Sequence, residues 1–363
     1  MIHVLQVYPQ MNNAGTERVI FNLYENIDVT KVQFDFLVEV PGELDSKIAD
    51  MGGIIYYIKE KKKFDYYNKL ILFFKEHPEY QVVHTHTHAR MWLVLKAAKK
   101  CGVKCRIAHS HNARNDLPKV AAIIKGFTSI PIEIYANHFF ACSSSAARWL
   151  FPHRKNCSIV YNGIKLHDYL FNKDIRIKKR KELCIDENEY VMIHVGRFAK
   201  QKNHEFVVKI LTEYNKNNQD WKMLLVGVGP LQDIIKQQAK DNGILDHLLF
   251  LDSRTDVNEL LSAADLFVFP SLHEGLGIVV IEAQASSLNC IVSDAVPAEA
   301  DLGIGLINTL RLNEDIKNWA DKIENLKNQT ISRDGYGDRI MNSKYNIEKI
   351  GKRIERFYLK QGK

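Results

Sequence analysis

The chain has 363 residues, 46% hydrophobic and 26% charged, which is ordinary for a soluble globular protein long enough for about two domains. No stretch approaches the roughly 20 apolar residues that a membrane-spanning helix requires. The net charge of +7 is uneven: residues 1–165 carry 22 Lys+Arg against 14 Asp+Glu, and 166–363 carry 28 against 29. The first half therefore faces an anionic partner, and without a recognition motif beside the charge, nucleic acid fits less well than a membrane surface or a diphosphate-linked acceptor.

MIHVLQVYP reads as a first strand rather than a signal peptide, since it has neither a basic leader nor a long apolar run. Six scattered cysteines (Cys101, Cys105, Cys142, Cys157, Cys184, Cys290) complete no zinc pattern and read as reduced thiols of a cytosolic protein. Loop QMNNAGT leads into helix ERVIFNLYENI, then come strand FDFLVEV, a helix over 43–51 and strand IIYYI. A helix over 67–76 follows the segment EKKKFDYYNK. There Lys61, Lys62 and Lys63 stand beside Phe64, Tyr66, Tyr67, Phe73 and Phe74. The patch is either a basic loop before a helix with core aromatics or an interfacial contact.

QVVHTHTH is a strand ending in histidines. His84, His86 and His88 share a strand face, yet no carboxylate or Cys is placed to complete a metal site, so no metal is expected. After a helix from Arg90 to Cys101, strand KCRIAHSHN ends in His111, with His109 two residues back on the same face. A helix of about 118–126, a segment around 131–139, strand HFFACSS, short helix AARWLF and strand SIVYNGI complete a doubly wound α/β pattern. The charged run Lys173–Lys181 reads as the change of domain.

The second half opens with strand YVMIHVGR, where Arg197 follows Gly196 and Lys202 precedes an apolar helix. Strand KMLLVGVGP and the stretch HLLFLDSRTDVNELLSAAD follow. Then DLFVFPSLHEGLGIVVIEAQASSLNCIVSD gives a strand closed by Pro270, a loop with Gly275 and Gly277, a helix from Ile278 to about Ser286, and a strand from Cys290 to Ser293. In such a βαβ unit the loop lies at the carboxyl edge, where open parallel sheets bind ligands, and the helix amides from Gly277 onward suit a phosphate. Glu274 and Glu282, eight residues apart, can hydrogen-bond hydroxyls at either end of a nucleotide sugar. An amphipathic helix spans Asn342 to Lys360.

Three patterns in this order, GR-x4-K at Gly196–Lys202, GxGP from Gly227 and E-x7-E at Glu274 and Glu282, resemble the retaining GT-B glycosyltransferases of family 4, over nearly the whole chain. The resemblance implies an α/β fold of two Rossmann-like doubly wound domains facing a cleft: 1–165 on the acceptor side, 166–341 binding the donor nucleotide, and 342–363 crossing back toward the first. It implies that His111 contacts the transferred sugar, that Arg197 and Lys202 supply cations for the donor diphosphate, and that Glu274 and Glu282 hold sugar hydroxyls and ribose. Gly15, Gly227, Gly275, Leu276, Gly277 and Ile278 would line the donor. NNAGTER resembles the family's GGxER with Ala14 in place of the first glycine; Val228, the Asp252–Ser253 pair, Ser287 and Asn289 also depart from the pattern.

No Asp-x-Asp occurs, so Arg197, Lys202 and helix amides are expected to neutralise the leaving diphosphate without metal or cofactor. The function implied is transfer of a hexose or N-acetylhexosamine from a nucleotide sugar, UDP-linked, to a glycan or polyprenyl-diphosphate-linked acceptor. The enzymes resembled assemble bacterial capsule and exopolysaccharide, which implies a cytoplasmic protein, peripheral at the inner face of the membrane. The competing readings are a non-catalytic sugar-nucleotide-binding subunit, against which the retained Glu274, Glu282, His111, Arg197 and Lys202 argue, and a GT-B epimerase or phosphorylase.

Overall fold

The computed structural model describes residues 1–12, 15–87, 90–111, 129–329 and 332–362. Ala14, His88 and the helix expected over 118–126 lie outside the described residues. The chain divides into two compact units, Met1–Lys165 with Lys344–Lys363, and Leu166–Ser343.

In the first unit the elements are β1 (Ile2–Val7), α1 (Gly15–Tyr24), β2 (Val32–Val38), α2 (Asp45–Asp50), β3 (Ile55–Tyr57), α3 (Lys63–Glu76), β4 (Val82–Thr85), α4 (Met91–Lys100) and β5 (Cys105–Ser110). Residues 129–135 are helical (α5), and β6 (His138–Ala141), α6 (Ser144–Leu150) and β7 (Ser158–Ile159) follow. The strands form one parallel sheet ordered β3-β2-β1-β4-β5-β6-β7. Alternate residues of β1 and β2 face opposite ways: Val4, Phe34 and Phe36 pack with α1, whereas Leu5, Val7 and Leu37 pack with α3 and α4. With both faces covered, the strands read as near-continuous apolar runs.

The second unit contains α7 (Lys173–Glu182), β8 (Tyr190–Val195), α8 (His204–Asn215), β9 (Trp221–Val226), α9 (Gln232–Asp241), β10 (Leu248–Phe250), α10 (Val257–Ala263), β11 (Leu266–Phe269), α11 (Ile278–Ala285), β12 (Asn289–Ser293), β13 (Ile307–Leu310), α12 (Ile316–Lys327) and α13 (Gly337–Met341). Its parallel sheet is ordered β10-β9-β8-β11-β12-β13. Met192, Met223, Val268 and Ile291 pack against α8, α9 and α12 around the buried Trp221 and Trp319.

Three expectations need correcting. The change of unit falls between Lys165 and Leu166, and the run Lys173–Lys181 does not itself mark it; the run is α7, inside the second unit. Asn172 caps it by accepting from Ile175 N at 2.9 Å, and Arg176, Lys179 and Arg180 turn inward while Lys173, Lys178 and Lys181 stay exposed. Lys179 pairs with Glu182, Asp256 and Glu259 at 2.7–2.8 Å, and Arg180 with Asp265 at 2.6 Å. Apart from Glu182, the acidic partners lie 77 to 85 residues downstream, so local composition cannot reveal them. Next, α3 starts at Lys63 rather than 67, with Asp65 in the first turn to complement the helix dipole. The tail helix, α14 (Ile347–Gln361), starts later than Asn342 because Asn346 caps it, accepting from Glu348 N at 3.0 Å. Its buried Ile347, Ile350, Ile354 and Tyr358 join the first unit's core beside Val4 and Phe34. All six cysteines are free thiols.

Candidate active site

In the second sheet the strand order reverses between β8 and β11, which pair in parallel, so the loops after them leave the same carboxyl edge. Such a switch point is where doubly wound sheets hold ligands. The fully buried β11 is stopped by Pro270, and Gly277 adopts φ +79° as the residue before α11, a conformation that other residues enter only with strain. The two loops are stitched together: Leu272 N donates to Gln201 O at 2.8 Å, Gln201 Nε2 to His273 O at 2.9 Å, and Asn203 Nδ2 to Pro270 O at 2.9 Å.

That stitching brings Lys202 Nζ within 2.7 Å of Glu274 Oε1, and the ammonium lies 4.7 Å from the centre of the Phe269 ring. Ser271 Oγ lies 2.6 Å from the same carboxylate oxygen. Glu274's side chain is only 7% exposed, so the pair is held largely out of water. Arg197 stands exposed with no ion-pair partner among the described residues. Thus two residues given separate roles by sequence, Lys202 for phosphate and Glu274 for sugar, form one pair here. Glu282, on the same helix as Ile278, accepts a bond from Tyr169 Oη at 2.9 Å. Burial pushes its carboxyl above the ordinary range, with Tyr169 opposing the shift.

Gly227 has φ +138°, and a Cβ there would collide with the Gly196 carbonyl oxygen, so only glycine lets these two strand ends approach. Gly275 has open space around it, and Leu276 is buried. Asp252, one of the pair near which the family pattern has glycine, and Ser287, which replaces a glycine of that pattern, have left-handed backbones at φ 33° and 55°. Gly15, with φ +56°, opens α1 in the first unit beside Glu17, whose carboxyl is raised by burial.

The first sheet reverses order between β1 and β4, and its polar centre lies there. His111, just beyond β5, is buried, and its Nε2 lies 2.8 Å from His86 Nδ1. His86 Nε2 lies 2.8 Å from Gln6 Oε1 on β1. His84 spans Tyr358 Oη at 2.6 Å and His109 Nδ1 at 3.1 Å. Burial first, and neighbouring imidazoles second, hold His84, His86 and His109 well below the usual histidine range, so all three are neutral at pH 7. Ligand atoms of these three come within 4.8 Å of one another, closer to a metal triad than strand spacing suggested because the neighbouring strand supplies His109. The hydrogen bonds above already engage nitrogens of each ring.

Sequence reading missed Gln6, Tyr358, Tyr169 and Ser271. Gln6 left one signal, a polar residue inside an apolar strand; a partner such as Tyr169, 113 residues from Glu282, leaves none.

Residues 175–342 match the family model described as Glycosyl transferases group 1. The protein named as glycosyltransferase EpsF in Bacillus subtilis (strain 168) is 33% identical over 334 residues, spanning 88% of this chain and 86% of EpsF. The chain belongs to the group 1 glycosyl transferases. This transferase is also 26% identical to the UDP-Gal:alpha-D-GlcNAc-diphosphoundecaprenol alpha-1,3-galactosyltransferase of Escherichia coli, over 77% of this chain and 76% of that enzyme. It is 27% identical to the capsular polysaccharide biosynthesis glycosyltransferase CapH of Staphylococcus aureus, over 80% and 81%. Among solved structures, HepE of Anabaena in complex with UDP superposes with a TM-score of 0.81 at 16% identity, over 98% of this chain and 99% of HepE. A glycosyltransferase of Rickettsia africae ESF-5 gives 0.82 at 15% identity, over 99% and 98%. The two Rossmann-like domains of the transferase are those of the GT-B fold, as the sequence patterns implied.

Proposed function

We propose that this transferase moves a hexose or N-acetylhexosamine from a UDP-sugar to a polyprenyl-diphosphate-linked or glycan acceptor, with retention at the anomeric carbon, in surface polysaccharide synthesis. The observation that carries the reading is the second unit's switch point, where Arg197, the Lys202–Glu274 pair and the N-terminal end of α11 stand on two stitched loops. The names of the E. coli and S. aureus relatives supply the acceptor class and the pathway class.

On this reading Arg197, Lys202 and the free amides of α11 offset the charge that builds on the departing diphosphate, and no metal or cofactor is required for that task. The Lys202 ammonium has three donors, so it can turn toward phosphate while loosening its hold on Glu274. Glu274 then has an oxygen for the sugar hydroxyls. Glu282 holds the ribose, and His111 contacts the transferred sugar. The acceptor oxygen bonds to the anomeric carbon on the face from which the phosphate oxygen leaves, and the acceptor's proton passes to that phosphate. The decisive experiment is transfer from a panel of UDP-sugars to undecaprenyl-diphosphate-linked acceptors, with the anomeric configuration of the product read by NMR. Retention supports the reading; an inverted product, or loss of activity in EDTA, overturns it.

No described helix is long and apolar enough to cross a membrane. We place the acceptor's membrane at α3. There Tyr66, Leu70, Phe73 and Phe74 are buried, while Phe64 is 73% and Leu72 56% exposed beside the exposed Lys61, Lys62 and Lys63. Each lysine near an anionic surface contributes about 1 kcal/mol. Sedimentation with phosphatidylglycerol vesicles should fall sharply when all three lysines become alanine; unchanged binding would remove this face from the account.

A further inference from the structure

We propose that Gln6 and His86 are positioning residues that hold His111 as its Nε2–H tautomer, so that Nδ1 is the lone pair offered to a hydroxyl of the sugar. The last clause rests on the reading of His111 as a sugar-contacting residue; the tautomer itself does not.

Gln6 Oε1 can only accept, so at 2.8 Å it requires the proton on His86 Nε2. A neutral imidazole carrying Nε2–H has a bare lone pair at Nδ1, and burial keeps His86 neutral. At 2.8 Å from that lone pair, His111 Nε2 must be the donor. If His111 picks up a second proton, Nε2–H still donates to His86, so the ring keeps its orientation in either charge state. The other end of the Gln6 amide lies near Tyr358, though its Nε2 makes no hydrogen bond there. Tyr358 Oη lies 2.6 Å from His84 Nδ1 and His84 Nε2 3.1 Å from His109 Nδ1, a second chain that packs beside the first. One glutamine, placed where the sheet reverses, thus orders the chain from His86 to His111. Turning its amide over would reverse that chain and make His111 an Nδ1 donor.

The test uses the full chain labelled with ¹⁵N-histidine, with the His111 signals identified by their loss in His111→Gln. Long-range ¹H–¹⁵N spectra should show His111 protonated at Nε2 and bare at Nδ1; the opposite tautomer overturns the proposal. Gln6→Met keeps the shape and removes the acceptor, and His86→Leu removes the whole link. Both should mix the His111 tautomers and lower kcat at least about tenfold, with KM for the donor and UDP affinity little changed. His86→Asn places an acceptor oxygen near the lost Nδ1 and should restore the Nε2–H tautomer and most of kcat, which a merely space-filling role would not do. A pure Nε2–H tautomer persisting in both Gln6→Met and His86→Leu overturns the positioning. Tautomers that shift as stated with kcat untouched would overturn the role of His111 at the sugar, while leaving the positioning in place.

Discussion

Where β1 meets β4, the first unit sets four imidazoles and a glutamine amide into its core, three of the imidazoles held neutral by burial. Where β8 meets β11, the second unit sets an ammonium, a guanidinium and a carboxylate around two loops, with a second carboxylate behind them on α11. The topological position is the same and the groups at the loops differ, charged in the second unit and neutral in the first, although buried His194 on β8 also meets Val268 O on β11 at 2.8 Å. In a neutral network each ring can donate on one side and accept on the other, so geometry is fixed at little desolvation penalty even though Gln6 Nε2 and His109 Nε2 find no hydrogen-bond partner. A buried ion pair is different: its members keep their charge only while each has the other or a ligand to replace it. Backbone strain divides the same way. Among the described residues, the non-glycine positions with left-handed φ, namely Cys184, Asn203, Asp252 and Ser287, all belong to the second unit.

Acid should separate the two units most. A histidine whose folded value is depressed contributes stability that is complete above its unfolded value of about 6.5 and is lost as pH falls toward the folded value. Between those two values each such group removes up to about 1.4 kcal/mol per pH unit. The first unit has His84, His86 and His109, and the second has His194 and His204, the latter held down to about 4. Hydrogen exchange between pH 7 and 5 should show both units loosening below pH 6.5, the first the more steeply. Equal slopes would mean that the neutral network is not what distinguishes it.

Ligand affinity should divide the sites next. Arg197→Ala or Lys202→Ala removes a charge-assisted bond worth about 1.5–3 kcal/mol, so UDP binding measured by calorimetry should weaken roughly tenfold to a hundredfold. Glu282→Ala should also weaken UDP. Glu274→Ala and His111→Ala should leave UDP affinity nearly intact and lower turnover. A folded His111→Ala that no longer binds UDP would erase the division.

Glu282 offers a subtler contrast. Its folded value is raised, chiefly by burial, so its favourable contribution is present only below the ordinary carboxyl range and is lost as pH rises through the raised value. Glu282→Gln should therefore raise the melting temperature of the free protein at pH 7.5, by less toward pH 4.5, while weakening UDP. A lower melting temperature at pH 7.5 would show that the Tyr169 bond outweighs desolvation.

The smallest effect is expected at Ser287, where φ 55° strains any side chain. Ser287→Gly should shift urea unfolding toward higher stability by about 0.5–1 kcal/mol, the relief of strain being partly offset by glycine's greater freedom in the unfolded chain. No gain would mean that the surrounding hydrogen bonds already absorb the strain.

The alternation of apolar runs with helical periodicity, Pro270 at a strand end and glycines at 227 and 277 determined the doubly wound units and their carboxyl-edge loops. Those signals are local, set by backbone sterics and by burial of both sheet faces, and so they are written in consecutive residues. The spacing of Arg197, Lys202, Glu274 and Glu282 named the candidate charges for the same reason. Tertiary structure alone decided who meets whom. It showed that the basic run at 173–181 is a helix whose Arg176, Lys179 and Arg180 pair with acids far along the chain, and that Lys202 and Glu274 are one pair. It also carried the ring of Tyr358, 274 residues from His84, into the core of the first unit. Pairings of that kind depend on strand order and on where a terminal helix lands, and no periodicity within either partner's neighbourhood records them.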